Sequence, residues 1–169
     1  MRAERTIPGV SDEGAIVEKA KVAVIGVVDK KPAVLLLRRS PIEDTRIGGD
    51  DWPGGTVEPP EMPIDTVLRE TGIEVPGLTL HHITELTQQS KRRHGQRIIT
   101  HLFAAAGEFP PGEIQVSDEH DCGEQVLLEE LPDRNMPQKY RDALTSPQGM
   151  LVVRSLVLLA QHEAPQHLV

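Results

Sequence analysis

Aromatic residues are scarce in this sequence: its 169 residues include one Trp, one Tyr and two Phe. A nucleobase site that depends on strong ring stacking is therefore not expected. Cysteine is scarcer still, since Cys122 is the single example. One cysteine excludes an intrachain disulfide framework and a zinc site made of several thiolates. It also fits a reducing compartment such as the cytoplasm.

Long apolar runs and an excess of positive charge are missing as well. The longest apolar stretch, residues 150–160, contains Arg154 and is shorter than the roughly 20 residues that a membrane span needs. The first 14 residues are polar and lack the apolar core of a signal peptide. The net charge of −8 disfavours a sequence-independent grip on a nucleic-acid backbone. We therefore expect a cytoplasmic protein that binds neither a membrane nor a nucleic-acid polymer.

Apolar periodicity predicts an α/β (α+β) fold with one core. Two runs of branched apolar residues, 22–28 and 33–37, are joined by a short polar turn and predict a hairpin. Proline at position 63 and glycine at position 72 predict where the central helix begins and ends. This central helix is predicted at 63–71. It is followed by predicted strands at 78–86, 97–106 and 125–128 and by predicted helices at 137–144 and 150–163. Strands first, then a helix, then strands and helices favour a mixed sheet between helices.

Residues 52–73 carry the most informative motif. They begin with Trp-Pro-Gly-Gly and end with Arg-Glu-Thr-Gly-Ile. The segment resembles the signature of Nudix hydrolases, which reads Gly, five residues, Glu, seven residues, Arg-Glu, apolar, any, Glu-Glu, any, Gly, apolar. Gly55, Glu61 and Arg69-Glu70 match the first part, and Thr71-Gly72-Ile73 match the end. The four positions between them are absent in this alignment, so the signature helix is expected to be about one turn short.

The resemblance extends over roughly residues 20 to 145. An apolar hairpin ending in Arg38-Arg39, a strand around His101 and a Glu119-His120 loop follow the family order. It implies a Nudix-type mixed β-sheet sandwiched between α-helices. It also implies hydrolysis of a diphosphate linkage in a nucleoside diphosphate-like small molecule with Mg²⁺ or Mn²⁺.

The resemblance further implies a metal site with oxygen ligands, which Mg²⁺ prefers. Glu70 is the first candidate, because it matches a signature Glu whether one counts from the beginning or from the end. The carbonyl of Gly54 and the carboxylates of Glu61, Asp65 and Glu119 complete the predicted ligands. Glu61 and Asp65 are one helical turn apart, so either carboxylate could compensate for the absent Glu-Glu pair.

Catalysis and substrate binding are assigned by the same resemblance. The predicted catalytic residues are Glu70, Glu119 and Arg69, whose guanidinium would hold a helix carboxylate or a phosphate. The predicted substrate-binding residues are Arg38, Arg39, Arg46 and His120. The basic segment 91–97 is interpreted as a solvated hairpin tip.

Three parts of the chain are distinguished in this interpretation. Residues 1–18 form an N-terminal arm, residues 19–146 the Nudix-like domain, and residues 147–169 a C-terminal helix. That helix is apolar around most of its circumference, so we expect it to pack on the domain or on a partner subunit in a homodimer.

Three functions are consistent with these observations. The first is a metal-dependent pyrophosphohydrolase, and the second is a Nudix-fold protein that has lost catalysis and binds a nucleotide-like ligand or another protein. The third is an assembly protein whose last helix drives dimerisation. The number of carboxylates that converge near Gly54 discriminates between the first two.

Overall fold

The computed structural model describes residues 14–40 and 49–163. These residues form a seven-stranded mixed sheet flanked by α-helices, which confirms the predicted fold class. The elements in chain order are β1 Ile16–Val28, β2 Lys31–Arg39, β3 Asp50–Asp51, β4 Gly54–Thr56, α1 Pro63–Glu74, β5 Thr79–Arg93, β6 Gln96–Glu108, β7 His120–Leu127, a short 3₁₀ helix Leu128–Asp133, α2 Gln138–Thr145 and α3 Pro147–Glu163.

Strand β1 organises the sheet. It pairs antiparallel with β2 and β4 and parallel with β6, and the strand order is β3-β2-β1-β6-β5, with β7 paired to β2. The predicted β1–β2 hairpin is present. Asp29 and Lys30 form its two-residue turn with φ of 49° and 65°, the left-handed backbone that tight hairpins require. β1 begins at Ile16, so the last residues of the predicted arm belong to the sheet.

Alternating side chains of β1 build a core on each face of the sheet. Val22 and Val24 pack with Val67 of α1 on one face. Ala23 and Ile25 belong to the core on the opposite face, together with residues of α2 and α3. Both faces are covered, and this explains why the strand sequences are almost continuously apolar.

Helix α1 continues past its predicted end. Gly72 lies inside the helix, which ends at Glu74, and the Val75 N–H bonds the Thr71 carbonyl at 2.9 Å. The prediction that Gly72 stops the helix is therefore wrong. A helical glycine costs only about 1 kcal/mol relative to alanine, and burial of the apolar side chain of Val75 at the C-cap offsets that cost.

Helix α3 divides its apolar residues between the core and the surface. Val153 and Leu156 are buried, whereas Leu151 and Leu158 are 64% and 57% exposed. The exposed strip is consistent with the expected homodimer, which stays a prediction. Pro147, expected to precede the helix, forms its first residue, where the missing N–H of proline is not needed.

The described residues contain no single helix that is both long and apolar enough to cross a bilayer. Helices α2 and α3 taken together meet the criteria of length and composition, but they are bent by 71° at their junction.

Candidate functional site

A pocket of about 670 Å³ opens on the sheet face that carries α2, beside the Gly54–Gly55 turn. Among residues 14–40 and 49–163, six cationic side chains and three carboxylates line it. The cations are Lys19, Lys21, Arg39, Lys91, Arg93 and Lys139, and the acids are Asp51, Glu74 and Glu119. We call this the cationic pocket. Such an excess of positive charge in a chain with net charge −8 indicates an anionic ligand.

The strand register brings these cations together. Lys19 and Lys21 occupy alternate positions of β1, and Lys91 and Arg93 occupy alternate positions of β5, so each pair lies on one face of its strand. β6 runs between these strands, and its Thr100 pairs with Lys19 and also lines the pocket. Residues far apart in the chain thus present their charges to one cavity.

The cations of the pocket repel one another. Burial lowers the pKa of Lys19, and the positive charges of Lys21 and Lys91 lower it further. Burial also lowers the pKa of Lys139, and Lys91 adds to that effect. Both ammonium groups are therefore poorly solvated and incompletely neutralised by the protein. An anion that enters the pocket would relieve both conditions.

Lys21 lies against the Gly54–Gly55 turn. Its Nζ donates to Asp51 Oδ2 and to the Trp52 carbonyl at 3.1 Å each, and to the Gly54 carbonyl at 3.4 Å. Arg39 Nη1 donates to the same Asp51 oxygen at 3.1 Å. Burial alone would raise the pKa of Asp51, but Lys21, the Trp52 N–H and Arg39 outweigh it and hold the pKa below its usual value. Asp51 is therefore an ionised partner for the two cations.

The turn itself requires glycine. Gly54 has a φ of 139°, and a Cβ there would lie 2.0 Å from the carbonyl oxygen of Ala20. A Cβ on Gly55 would lie 2.8 Å from the carboxyl carbon of Glu70. Because neither Gly54 nor Gly55 has a side chain, β4 can pack between β1 and α1.

Glu74 reaches the pocket from the last turn of α1. It is 4% exposed, and its Oε2 accepts a hydrogen bond from the Gly54 N–H at 3.2 Å. Burial raises the pKa of Glu74 to about 8, against the opposing effects of Lys21 and of the Gly54 N–H. The negative charges of Asp51 and Glu70 contribute in the same direction as burial. The carboxyl group of Glu74 is thus mainly protonated at neutral pH.

The acids predicted on the signature helix form a separate network. Arg69 donates to Glu61 Oε1 and Oε2 at 2.8 and 3.1 Å and also donates to Glu70. The Thr66 hydroxyl donates to Glu61 Oε1 at 2.7 Å. Hydrogen bonds from Arg69, from the Glu58 N–H and from Thr66 lower the pKa of Glu61 to about 2. We call Glu61, Thr66, Arg69 and Glu70 the helix brace, because they tie the segment before α1 to the middle of that helix.

The predicted metal ligands are divided among different roles. Gly54 and Glu119 line the cationic pocket, whereas Glu61 and Glu70 belong to the helix brace. Asp65 Oδ2 accepts the Met62 N–H at 2.9 Å and caps α1. Three of the four predicted carboxylates are therefore engaged in local structure.

The residues present do not fit Mg²⁺ or Mn²⁺. Within residues 14–40 and 49–163, no group of three or more His, Cys, Asp and Glu side chains is placed to hold a metal ion. The Gly54 carbonyl, the predicted backbone ligand, already accepts a hydrogen bond from the Lys21 ammonium group. Mg²⁺ keeps several waters but still needs one or two available carboxylates beside it, and Asp51, Glu61 and Glu70 are each already paired with a cationic side chain.

The predicted substrate-binding residues divide in the same way. Arg39 and His120 line the cationic pocket. Arg38, one position earlier in β2, is exposed and does not line the pocket. Arg46 lies outside the described residues.

Of the cations that line the pocket in the described part of the chain, Arg39 is the one that the sequence predicted to bind substrate. Segment 91–97 is exposed and contains the turn between β5 and β6, as predicted, but its Lys91 and Arg93 also line the pocket. The sequence did contain a signal for this face: Lys19 and Lys21 are two positions apart in β1, and Lys91 and Arg93 are two positions apart in β5. Side chains at that spacing lie on the same face of a strand.

Glu74 was not predicted as a site residue, because the alignment with a four-residue gap ends the signature at Ile73. Because α1 is continuous, the signature can be counted without a gap from Arg69-Glu70, and its Glu-Glu positions then fall on Ile73 and Glu74. One signature Glu is thus present at the pocket, and the other is replaced by an apolar side chain that is 57% exposed.

The NUDIX domain family model matches residues 18–146. A MutT protein from Methanosarcina mazei Go1 has 26% identity and a TM-score of 0.61, with 78% of this chain and 91% of that chain covered. A MutT NUDIX hydrolase from Burkholderia pseudomallei has 24% identity and a TM-score of 0.63, with 79% and 99% covered. The NUDIX domain of Shewanella oneidensis NrtR, in complex with ADP ribose, has 17% identity and a TM-score of 0.61, with 77% and 86% covered.

A comparison with curated protein sequences gives no significant match. The family model covers well over half of the chain, and the mixed sheet with its helices agrees with the fold of that family. The chain therefore belongs to the Nudix family.

Proposed function

We propose that the cationic pocket binds a small molecule that carries a diphosphate group. The observation that supports this best is that, in the part of the chain that the structure describes, six cationic side chains but only three carboxylates line one cavity of about 670 Å³. A diphosphate group carries its negative charges on the oxygens of two linked phosphates, and Lys and Arg side chains are the usual partners of such oxygens. The cations come from β1, β2, β5 and α2, so they approach a bound anion from several sides.

Recognition of a nucleobase by stacking has little support. Of the four aromatic residues in the chain, Tyr140 is the one that lines the pocket. Its ring is 4% exposed and stacks on Trp52 with centroids 4.5 Å apart. A base would therefore find no free ring face there, and the phosphate groups are the expected point of recognition.

The ligand class agrees with a property of one structural neighbour. The NUDIX domain of Shewanella oneidensis NrtR was solved with ADP ribose, a molecule in which a diphosphate links two sugars. The same chemical feature would satisfy the cations described above. ADP ribose and inorganic pyrophosphate are therefore suitable probes.

Hydrolysis of the diphosphate linkage is a second candidate function. It is favoured by membership of a family of hydrolases that generally use divalent metals such as Mg²⁺. It is also favoured by Glu70 and Glu74, which contact the two glycines of the turn. The donor set does not fit the metal, so we expect binding to be strong and turnover to be weak or absent.

Isothermal titration with ADP ribose and pyrophosphate tests the binding proposal. Arg93→Met removes a pocket cation, and about tenfold weaker binding is expected, as for the loss of one charged contact. Arg92→Met is the matched control, because Arg92 lies on the same strand but does not line the pocket. Equal losses in both variants would show that the effect is general electrostatics.

Phosphate release from a panel of diphosphate compounds tests the second candidate. The assay is run with Mg²⁺, with Mn²⁺ and with EDTA. Turnover that disappears in Glu70→Gln would support metal-dependent hydrolysis, whereas binding without release supports a binding protein.

A further inference from the structure

We propose that the Lys21 ammonium group takes the place of the divalent ion, so that the pocket holds a diphosphate group without a metal. This inference rests on the proposed function, because it concerns the same ligand in the same pocket. It starts from the disagreement between the family's use of metals and the donor set of this chain.

The three N–H groups of the Lys21 ammonium all have acceptors. They point to the Asp51 carboxylate, the Trp52 carbonyl and the Gly54 carbonyl, at 3.1, 3.1 and 3.4 Å. An ammonium group has three donors, so this arrangement saturates it, and the side chain is only 13% exposed. Lys21 is thus a fixed cation held by oxygen atoms, as a bound metal ion would be.

A divalent ion cannot share this position with Lys21. The ammonium group carries the same sign of charge, and its nitrogen cannot act as a ligand while it is protonated. Removing the lysine would leave the carboxylate of Asp51 and two backbone carbonyls around an empty volume. These are the hard oxygen ligands that Mg²⁺ and Mn²⁺ prefer.

The rest of the pocket is arranged for an anion whose charge is met by the protein alone. With the donors of Lys21 saturated, its contribution to a phosphate is a fixed positive charge. Lys19, Lys91 and Arg93 line the same cavity and provide donors that can reach the anion directly. Ile73 at a signature Glu position removes one acid that would otherwise repel the phosphate or call for a metal.

Manganese binding measured by electron paramagnetic resonance tests the role of Lys21 without any activity assay. Wild type is expected to bind Mn²⁺ only weakly. Lys21→Met exposes the oxygens of Asp51, Trp52 and Gly54, and we expect its affinity for Mn²⁺ to rise by at least about tenfold.

Two further variants serve as controls in that experiment. Lys19→Met removes a cation from the same face of the same strand but from none of these oxygens, so it should gain no Mn²⁺ binding. Lys21→Arg keeps the charge and should also gain none. If Lys21→Met does not fold because Asp51 loses a partner, wild type and Lys21→Arg decide the question, and tight Mn²⁺ binding by either overturns the inference.

Pyrophosphate titration separates the failure of this inference from the failure of the proposed function. In EDTA, wild type is expected to bind pyrophosphate within about threefold of its affinity in Mg²⁺. Binding that requires Mg²⁺ would overturn the metal-free site and leave the proposed function intact. No binding in either condition would overturn the proposed function, and the Mn²⁺ measurement would then judge Lys21 by itself.

Discussion

The helix brace and the cationic pocket lie on two sides of the Gly54–Gly55 turn and contain the same types of residue. In the helix brace, Arg69 is surrounded by carboxylates that accept its hydrogen bonds, and the pKa of Glu61 falls to about 2. In the cationic pocket, positive charges outnumber negative ones, and the pKa values of two lysines are lowered. Carboxylates outnumber the single guanidinium in the helix brace, whereas cations outnumber carboxylates in the cationic pocket.

The two regions differ in which sign of charge is in excess, and this distinguishes a structural cluster from the proposed ligand site. The acids that resemble the family signature most closely are occupied in the helix brace, where they stabilise the segment before α1. The pocket cations in the described part of the chain lie on β1, β2, β5 and α2, and Arg39 is the one among them that the family resemblance marks. The proposed ligand is therefore based on the excess of one sign of charge in the cavity rather than on the match of the motif.

The largest effect is expected from a change at the turn that separates the two regions. In Gly54→Ala, the new Cβ would lie 2.0 Å from the Ala20 carbonyl oxygen at a φ of 139°. We expect a loss of roughly 3 kcal/mol or more in the free energy of unfolding, measured by chemical denaturation. A variant as stable as wild type would show that β4 can move away from β1.

Glu74 gives the next largest effect, and it depends on pH. Its folded pKa of about 8 lies above the usual value, so its contribution to stability is complete below about pH 4.5 and is lost as pH rises towards 8. Glu74→Gln keeps the acceptor for Gly54 but carries no charge. In EDTA, we expect the variant to be more stable than wild type by on the order of several kcal/mol at pH 9. Equal stability near pH 4 is the internal control, and parallel curves would contradict the shift.

The pocket lysines predict the pH dependence of ligand binding. Since the pKa values of Lys19 and Lys139 are lowered in the free protein, a bound anion should raise them and take up protons. Pyrophosphate affinity should therefore fall as pH rises towards the ordinary lysine pKa. Titration in buffers of different ionisation enthalpy measures the uptake, and Lys139→Met should reduce it. Proton release on binding would contradict the prediction that the anion raises the pKa values of these lysines.

Arg69→Met tests whether the helix brace is structural. We expect a lower Tm at neutral pH and a smaller effect on pyrophosphate affinity than Arg93→Met produces. The lowered pKa of Glu61 stabilises the protein above about pH 4.5, and this contribution disappears as pH falls towards 2. The difference in Tm between wild type and variant should shrink over the same range. A variant of normal Tm that loses ligand binding would place Arg69 in the functional site instead.

The smallest effect is expected from Gly72→Ala, which sharpens the boundary of α1. A Cβ on Gly72 meets no atom within 4 Å, and alanine is favoured over glycine inside a helix. We expect a gain of about 0.5–1 kcal/mol. Destabilisation would mean that the helix ends at Thr71 and that Glu74 is not part of it.

The fold was largely predictable because its signals are local. The branched apolar runs of β1 and β2 and the prolines before α1 and α2 act within a few residues of themselves. The end of α1 was not predictable, because burial of Val75 against the rest of the fold overrides the preference of Gly72 for a break. Because α1 continues to Glu74, the end of the signature falls about one helical turn later than the sequence alignment predicted.

The family, the order of elements and the pair of glycines can be read from the sequence, since each depends on spacing along the chain. Which charges meet depends on how the strands pair. Lys21 and Gly54 are 33 residues apart in sequence and touch because β4 pairs with β1 in one register. Lys91 reaches the same cavity because β6 aligns β5 beside β1. Strand pairing is set by the packing of the whole sheet, so the placement of a cation on the carbonyl expected to bind a metal could not be read from residues 52–73 alone.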